Sequence, residues 1–432
     1  MFKLEENKTT MKTEVIAGLT TFFTMVYIIV VNPSILSETG MPFEQVFSAT
    51  IIAAVVGTLW MGLFANYPIA VAPGMGLNVY FAFSVVGSHG GITYHTAFSA
   101  VFVAGLIFLL LSLTKFRQLL IESIPDNLKF GISAGIGLFI AFIGFKNTGI
   151  ITSHPENLVG LGDLHSPTVL LALFGLAVTL ILMALKVNGA LFIGMIITSI
   201  VAYFTGQLTF DKVFALPSLP EGLMIANPFT AIGDVFQYSL YAVVFSFLLV
   251  TIFDTTGTMI GVAEQAGFIK GKSMPRAKEA LLSDSLATTV GAMFGTSPTT
   301  AYIESTSGVA AGGKTGLTSV TIALLFIIAS FFGPLVGSLS GVAAITAPAL
   351  IIVGSLMMGH IAKINWNEMD EAFPAFLVII CMPLTSSIST GIALGFISLP
   401  ILKMFMGKWR EIHPIVYIFA ILFFIQLAFL PH

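Results

Sequence analysis

Uncharged apolar runs recur from one end of this chain to the other, among them 101–113, 170–185 and 415–430, and nothing else constrains its fold as strongly. A helix crosses the hydrocarbon core of a bilayer with about 20 apolar residues, whereas a water-soluble core has no place for such runs one after another. Of the 432 residues, 56% are hydrophobic and 9% are charged, where a soluble domain carries about a quarter charged. The expected class is therefore an all-α polytopic membrane protein. Its 41 Gly, 39 Phe and 18 Met suit closely packed membrane helices, with small residues where backbones approach and large ones toward lipid.

Apolar windows place spans near 15–33, 46–65, 94–113, 130–146, 168–186, 188–206, 238–262, 280–295, 315–338, 345–362, 372–386, 388–405 and 415–430. Two more segments, 68–86 and 296–313, are apolar enough for the membrane but too rich in Pro, Gly and small polar residues for a continuous helix. Each reads as a broken crossing.

Basic loops resist translocation and mark the cytoplasmic side. With both broken segments counted as crossings, Lys3, Lys8, Lys12, Lys115, Arg117, Lys129, Lys186, Lys270, Lys272, Arg276, Lys278, Lys314, Lys363, Lys403, Lys408 and Arg410 all fall on one side. The opposite loops, including 88–95 and 152–165, carry almost no Lys or Arg. This register predicts about 14 crossings, a cytoplasmic N-terminus and an extra apolar segment, 415–430, that either spans once more or lies in the interface. The broken crossings are the third and the tenth, seven apart, as an inverted 7+7 repeat requires, since an odd repeat reverses orientation. One structural unit with two intramembrane subdomains is expected.

Several function classes are excluded. A net charge of −3 offers no basic surface for nucleic acid. Cys381 is the only cysteine, which rules out an intrachain disulfide and a thiolate cluster, and the seven His show no ligand-type spacing, so no metal cofactor is expected. Residues 1–14 lack the apolar core of a signal peptide.

Three constellations carry candidate chemistry. In the third crossing, Pro73, Gly74 and Gly76 favour an extended entry and then a half-helix beginning near Asn78, whose amide offers donor and acceptor to a ligand. The plainer alternative is a kinked, packed helix capped by Asn78. In the tenth crossing, hydroxyl and β-branched residues after Pro298 favour a short strand, which puts Glu304 at the start of a second half-helix. The alternative is a loop position outside the membrane. In the eighth, Asp254 follows the apolar stretch 241–252, and with Thr258 at i+4 it shares one helix face. The alternative is a capping Asp near the membrane surface. Asp284 is a weaker candidate, for which a cytoplasmic-end salt bridge near Lys278 is at least as good an account. Residues 308–315 fit the GxxxxGK[ST] pattern of a phosphate-binding loop, but that pattern needs a soluble α/β core, and Gly-rich packing with Lys314 as an anchor explains the same letters.

The motifs at 72–81 (APGMGLNVYF), 253–258 (FDTTGT) and 296–305 (TSPTTAYIES), with GGKTGLTS at 312–319 and Asn32-Pro33 in the first span, resemble the azgA-like purine permeases of the nucleobase–cation symporter-2 (xanthine/uracil permease) superfamily. The resemblance covers nearly the whole chain. It implies a core of about 14–115 and 235–340, a gate of about 120–210 and 344–406, and proton-coupled uptake of purine bases across the cell membrane. It also implies substrate contacts at Asn78, Asp254 and Glu304.

Guanine and hypoxanthine are the expected substrates, because an ionised Glu304 accepts from N1–H and the guanine 2-amino group, whereas N1 of adenine is itself an acceptor. Tyr302, Tyr80, Phe81 and Phe83 are candidates to stack on the base, and the backbone at Ile303 to donate to it. Asp254 is the expected proton carrier, an assignment that could be exchanged with Glu304; sodium coupling stays open. The expected partners are the purine base and the lipid bilayer, with a homodimer left open and no nucleic acid. An adenine permease of the same family, or an anion or uracil-type transporter of the same fold, is the alternative; no nucleophile or metal constellation suggests an enzyme.

Overall fold

The structure is a computed structural model that describes residues 2–87, 92–114, 122–155, 158–210, 212–268 and 275–429. Lys115, Arg117, Lys270 and Lys272, parts of the 88–95 and 152–165 loops, and residue 430 therefore lie outside the described residues. Among those described, nine helices are long and apolar enough to cross a membrane. These are Met11–Ser37, Phe43–Ala65, Tyr94–Ser112, Asp126–Thr148, Pro167–Ala184, Tyr241–Gln265, Gly316–Ser340, Ala343–Lys363 and Ile388–Phe405. Ala190–Phe204 and Met369–Thr385 are shorter, and Ala277–Phe294 carries Lys278, Glu279 and Asp284. Several helices start on a side-chain cap: Thr10, Thr93, Ser166 and Thr315 each accept from an N–H two or three residues on. Prolines 33, 348, 374, 383 and 400 are tolerated inside helices, as neighbouring helices permit in a membrane bundle.

Among the described residues, four short strands interrupt the helices: β1 (Val71–Pro73), β2 (Ile151–His154), β3 (Leu158–Leu161) and β4 (Thr299–Ala301). β2 and β3 form an antiparallel hairpin in a loop where no strand was expected. β1 and β4 belong to the two broken segments and pair antiparallel, with Val71 opposite Ala301, Ala72 opposite Thr300 and Pro73 opposite Thr299. All six residues are buried. Extended backbone at that depth must find partners within the protein, and each strand supplies them to the other. The Gly74 N–H donates to Pro298 O at 2.9 Å and the Tyr302 N–H to Ala70 O at 2.9 Å, closing both ends of the ladder.

From β1 the chain turns directly into the helix Met75–Val79. The half-helix thus begins three residues before Asn78, because Gly74, extended and bonded across to Pro298, already serves as the cap. From β4 it turns into Ser305–Ala310, with Glu304 at the cap as expected.

Around this pair, Met11–Met25, Phe43–Trp60, Tyr94–Ser112, Tyr241–Gln265, Ala277–Phe294 and Gly316–Ala329 pack on one another, while Asp126–Thr148, Pro167–Ala184, Ala343–Met358, Met369–Thr385 and Ile388–Phe405 form a second group of neighbours. In that second group Gly137 and Gly354 meet so closely that a Cβ on Gly137 would lie 2.6 Å from Gly354 O. Lys403, 5% exposed, ties the group's end together through Asp370 at 3.0 Å, Glu371 at 3.1 Å and Glu411 at 2.9 Å. Lys408, held above the ordinary lysine range by its bonds to Asp370 and Glu368, completes this network. The C-terminal helix Pro414–Phe429 packs Phe419 and Phe423 between Phe245 and Phe396.

Candidate functional site

Along one stripe of the Tyr241–Gln265 helix, Val243, Phe247 and Val250 are buried, and then Asp254 is exposed. Thr258 and Gly261 continue the stripe half-buried, and Gln265 ends it exposed. The space beside this half of the helix is open: a Cβ on Gly257 would meet nothing within 4 Å, and one on Gly261 only Ile303 Cδ1 at 4.0 Å. Asp254, Thr258 and Ile303 therefore border one cleft. The Asp254 carboxylate lies near the Thr300 side chain of β4 and within electrostatic reach of Glu304 and Tyr302.

Glu304 is half-buried at the cap of Ser305–Ala310. Tyr27, at the junction of Met11–Met25 and Ile28–Ser37, donates to its Oε1 at 2.6 Å. Thr24 and Ser307 hold its main chain, Ser307 Oγ donating to Glu304 O at 2.6 Å and lying 3.0 Å from Thr24 Oγ1. Two carboxylates thus lie within electrostatic reach of each other beside the paired strands, one on an intact helix and one at a half-helix cap. Such a pair presents acceptors, and the half-helix start adds backbone N–H groups with a positive dipole end.

The other expected residues sit differently. Asn78 is fully buried and donates through Nδ2 to Asn32 Oδ1 at 3.0 Å. Asn32 in turn donates to Thr50 Oγ1 at 2.7 Å and Thr296 Oγ1 at 2.9 Å, and accepts from Ser297. This knot of amides and hydroxyls ties Asn78 to the segment that leads into β4. The Phe81 ring is fully buried and stacks on Phe98 with centroids 4.3 Å apart. Tyr302 is 5% exposed, and its hydroxyl donates to Pro73 O at 2.5 Å, tying β4 to β1.

Asp284 is fully buried, accepting from Thr299 at 2.6 Å and from the Thr255 hydroxyl. It braces β4 against the helix that carries Asp254. Tyr27 and Asn32 gave weaker signals, a lone phenol and a lone amide inside an apolar run.

The phosphate-loop pattern at 308–315 is occupied from within the protein. Fully buried Glu14 accepts from the N–H of Lys314 at 3.0 Å and of Thr315 at 3.2 Å, and from the Thr318 hydroxyl at 2.6 Å. Backbone N–H groups that would cradle a phosphate cradle this carboxylate. Gly308 lets the helices close, since a Cβ there would lie 2.7 Å from Ala17 O. Glu14→Ala would strand both N–H groups in a dry site, at about 3 kcal/mol or more. We expect a lower midpoint in thermal unfolding of the detergent-solubilised protein, with Glu14→Gln intermediate.

The family model described as "Permease family" (Xan_ur_permease) matches residues 12–394. The guanine/hypoxanthine permease PbuO of Bacillus subtilis is 69% identical over 432 residues, all of both chains. The adenine permease AdeP of Escherichia coli is 44% identical, over 100% of this chain and 96% of its own. In fold, the transmembrane domain of a cyanobacterium bicarbonate transporter, BicA, matches with a TM-score of 0.63 at 15% identity, covering 89% of this chain and 97% of that one. Matched through both strand–half-helix segments and Asp254, the chain belongs to the Xan_ur_permease family of permeases.

Proposed function

We propose that the chain is a proton-coupled symporter that takes up purine bases, guanine and hypoxanthine first, across the cell membrane. The observation that carries this reading is the pair of carboxylates, Asp254 and Glu304, within electrostatic reach of each other beside the paired strands and the open cleft. Glu304 accepts from N1–H and the 2-amino group, the N–H groups at Ile303 and Glu304 donate to the base, and Thr258 lines the cleft below Asp254. Asn78 supports the site through Asn32, while Phe81 and Tyr302 shape it by packing. Asp254 carries the proton: closing the cleft over a neutral base removes water from the carboxylate and penalises its charged form.

The architecture on this reading is the inverted 7+7 repeat. Its fourteen crossings would be the nine long helices, three others (Ala190–Phe204, Ala277–Phe294 and Met369–Thr385) and the two strand–half-helix segments. The two groups of packed helices are then core and gate, moving against each other. The loops that hold Lys and Arg put the N-terminus in the cytoplasm. The cleft, buried above Asp254 and open toward Gln265, faces that same side.

The test is uptake of labelled guanine, hypoxanthine, adenine and uracil by permease-deficient cells expressing the chain, with and without a protonophore. Guanine and hypoxanthine accumulation that collapses with the protonophore is the expected result; no transport of any base overturns the proposal. Adenine is the second reading, favoured by the 44% identity to an adenine permease.

A further inference from the structure

The motifs leave the first apolar helix without a part in the site, and the structure gives it one. At its midpoint the Ile29 and Val30 N–H groups bond back only three residues, to Val26 O at 3.1 Å and Tyr27 O at 3.0 Å, tightening the turn that carries Tyr27. The phenol is 1% exposed and its hydroxyl donates to Glu304 Oε1 at 2.6 Å. Thr24, one turn earlier, holds Ser307 of the same half-helix at 3.0 Å, and Glu14 anchors the loop that follows it. The helix is thus fastened to the Glu304 half-helix at three levels, and Tyr27 is the one that touches the carboxylate.

A hydrogen bond from a neutral donor to a carboxylate is roughly twice as strong as one to a neutral carboxyl. The donor therefore favours Glu304 as an ion, with lone pairs to offer. We propose that Tyr27 is a specificity-determining residue: by donating to Glu304 it keeps this group an acceptor, which favours bases with N–H at the facing edge over adenine, whose N1 accepts. Tyr27 acts through Glu304 and is a positioning residue. The inference rests on Glu304 being the group that meets the base.

The experiment compares Tyr27→Phe, Glu304→Gln and the double variant in uptake of labelled guanine and adenine across the acid range, with membrane levels measured. A carboxylate that has lost a donor is protonated more readily. In Tyr27→Phe the acid limb of guanine uptake is therefore expected to move about one pH unit higher, and the guanine-over-adenine preference to fall about tenfold. Neither effect should appear in the Glu304→Gln background.

Loss of guanine binding in Glu304→Gln, with limb and preference unchanged in Tyr27→Phe, overturns the Tyr27 inference and leaves the role of Glu304 standing. Equal losses for both bases without a shift of the limb also overturn it. Unchanged guanine binding in Glu304→Gln overturns both. If Tyr27→Phe fails to reach the membrane, Glu304→Asp withdraws the carboxylate from the same hydroxyl and should shift the acid limb in the same direction; an unmoved limb there counts against the proposal.

Discussion

Asp254→Asn is expected to reduce accumulation of guanine to simple equilibration, an inside-to-outside ratio of about one, while exchange of labelled for unlabelled base continues. Asn keeps the size of the side chain and an oxygen that accepts hydrogen bonds. It cannot bind and release a proton. Without that step base movement no longer draws on the proton gradient, yet a cleft loaded with base can still turn over in both directions. Counterflow into proteoliposomes, with and without an imposed pH gradient, separates the two. Gradient-driven accumulation at the wild-type level by this variant would remove Asp254 from the coupling step.

Glu304→Gln should cost guanine affinity on the order of 100-fold, the combined effect of losing a charge-assisted hydrogen bond and setting two donors against each other. The amide keeps an oxygen for the Tyr27 hydroxyl, now 2.6 Å from Oε1, so the half-helix has no reason to move. Its NH2 group, however, meets N1–H or the 2-amino group of guanine with like polarity. Adenine should lose less, because its N1 can accept from that NH2. Competition of unlabelled bases against labelled guanine, read as inhibition constants, gives both numbers; equal inhibition of wild type and variant by guanine would count against Glu304 as the base-binding group.

How much of this was legible beforehand depended on whether the signal was local. Pro73, Gly74 and Gly76, and the Thr299–Thr300 pair after Pro298, break a helix by their own backbone preferences, so both interrupted segments could be read off the chain. Asp254 stood out because a carboxylate in an apolar span is costly wherever it lies. The start of the first half-helix was misplaced because its cap is set by a bond from Gly74 to Pro298, which the local sequence does not contain. Aromatic rings gave no local signal of their use: Phe81 stacks on Phe98, and Tyr302 spends its hydroxyl on Pro73.

The sequence by itself determined that the chain is a polytopic helical membrane protein, where two of its apolar segments break and which acids stand within apolar stretches, because apolar length, backbone propensity and the cost of burying charge act on a residue through its immediate neighbours. Only the tertiary structure decided what those acids touch. Tyr27 meets Glu304 across 277 positions, Asn32 meets Thr296 across 264, and Glu14 fills the Gly-rich loop across 300. Hydrogen bonds of that separation are set by which helices pack together, and a lone Tyr, Asn or Glu in its own stretch carries no mark of the partner it will find.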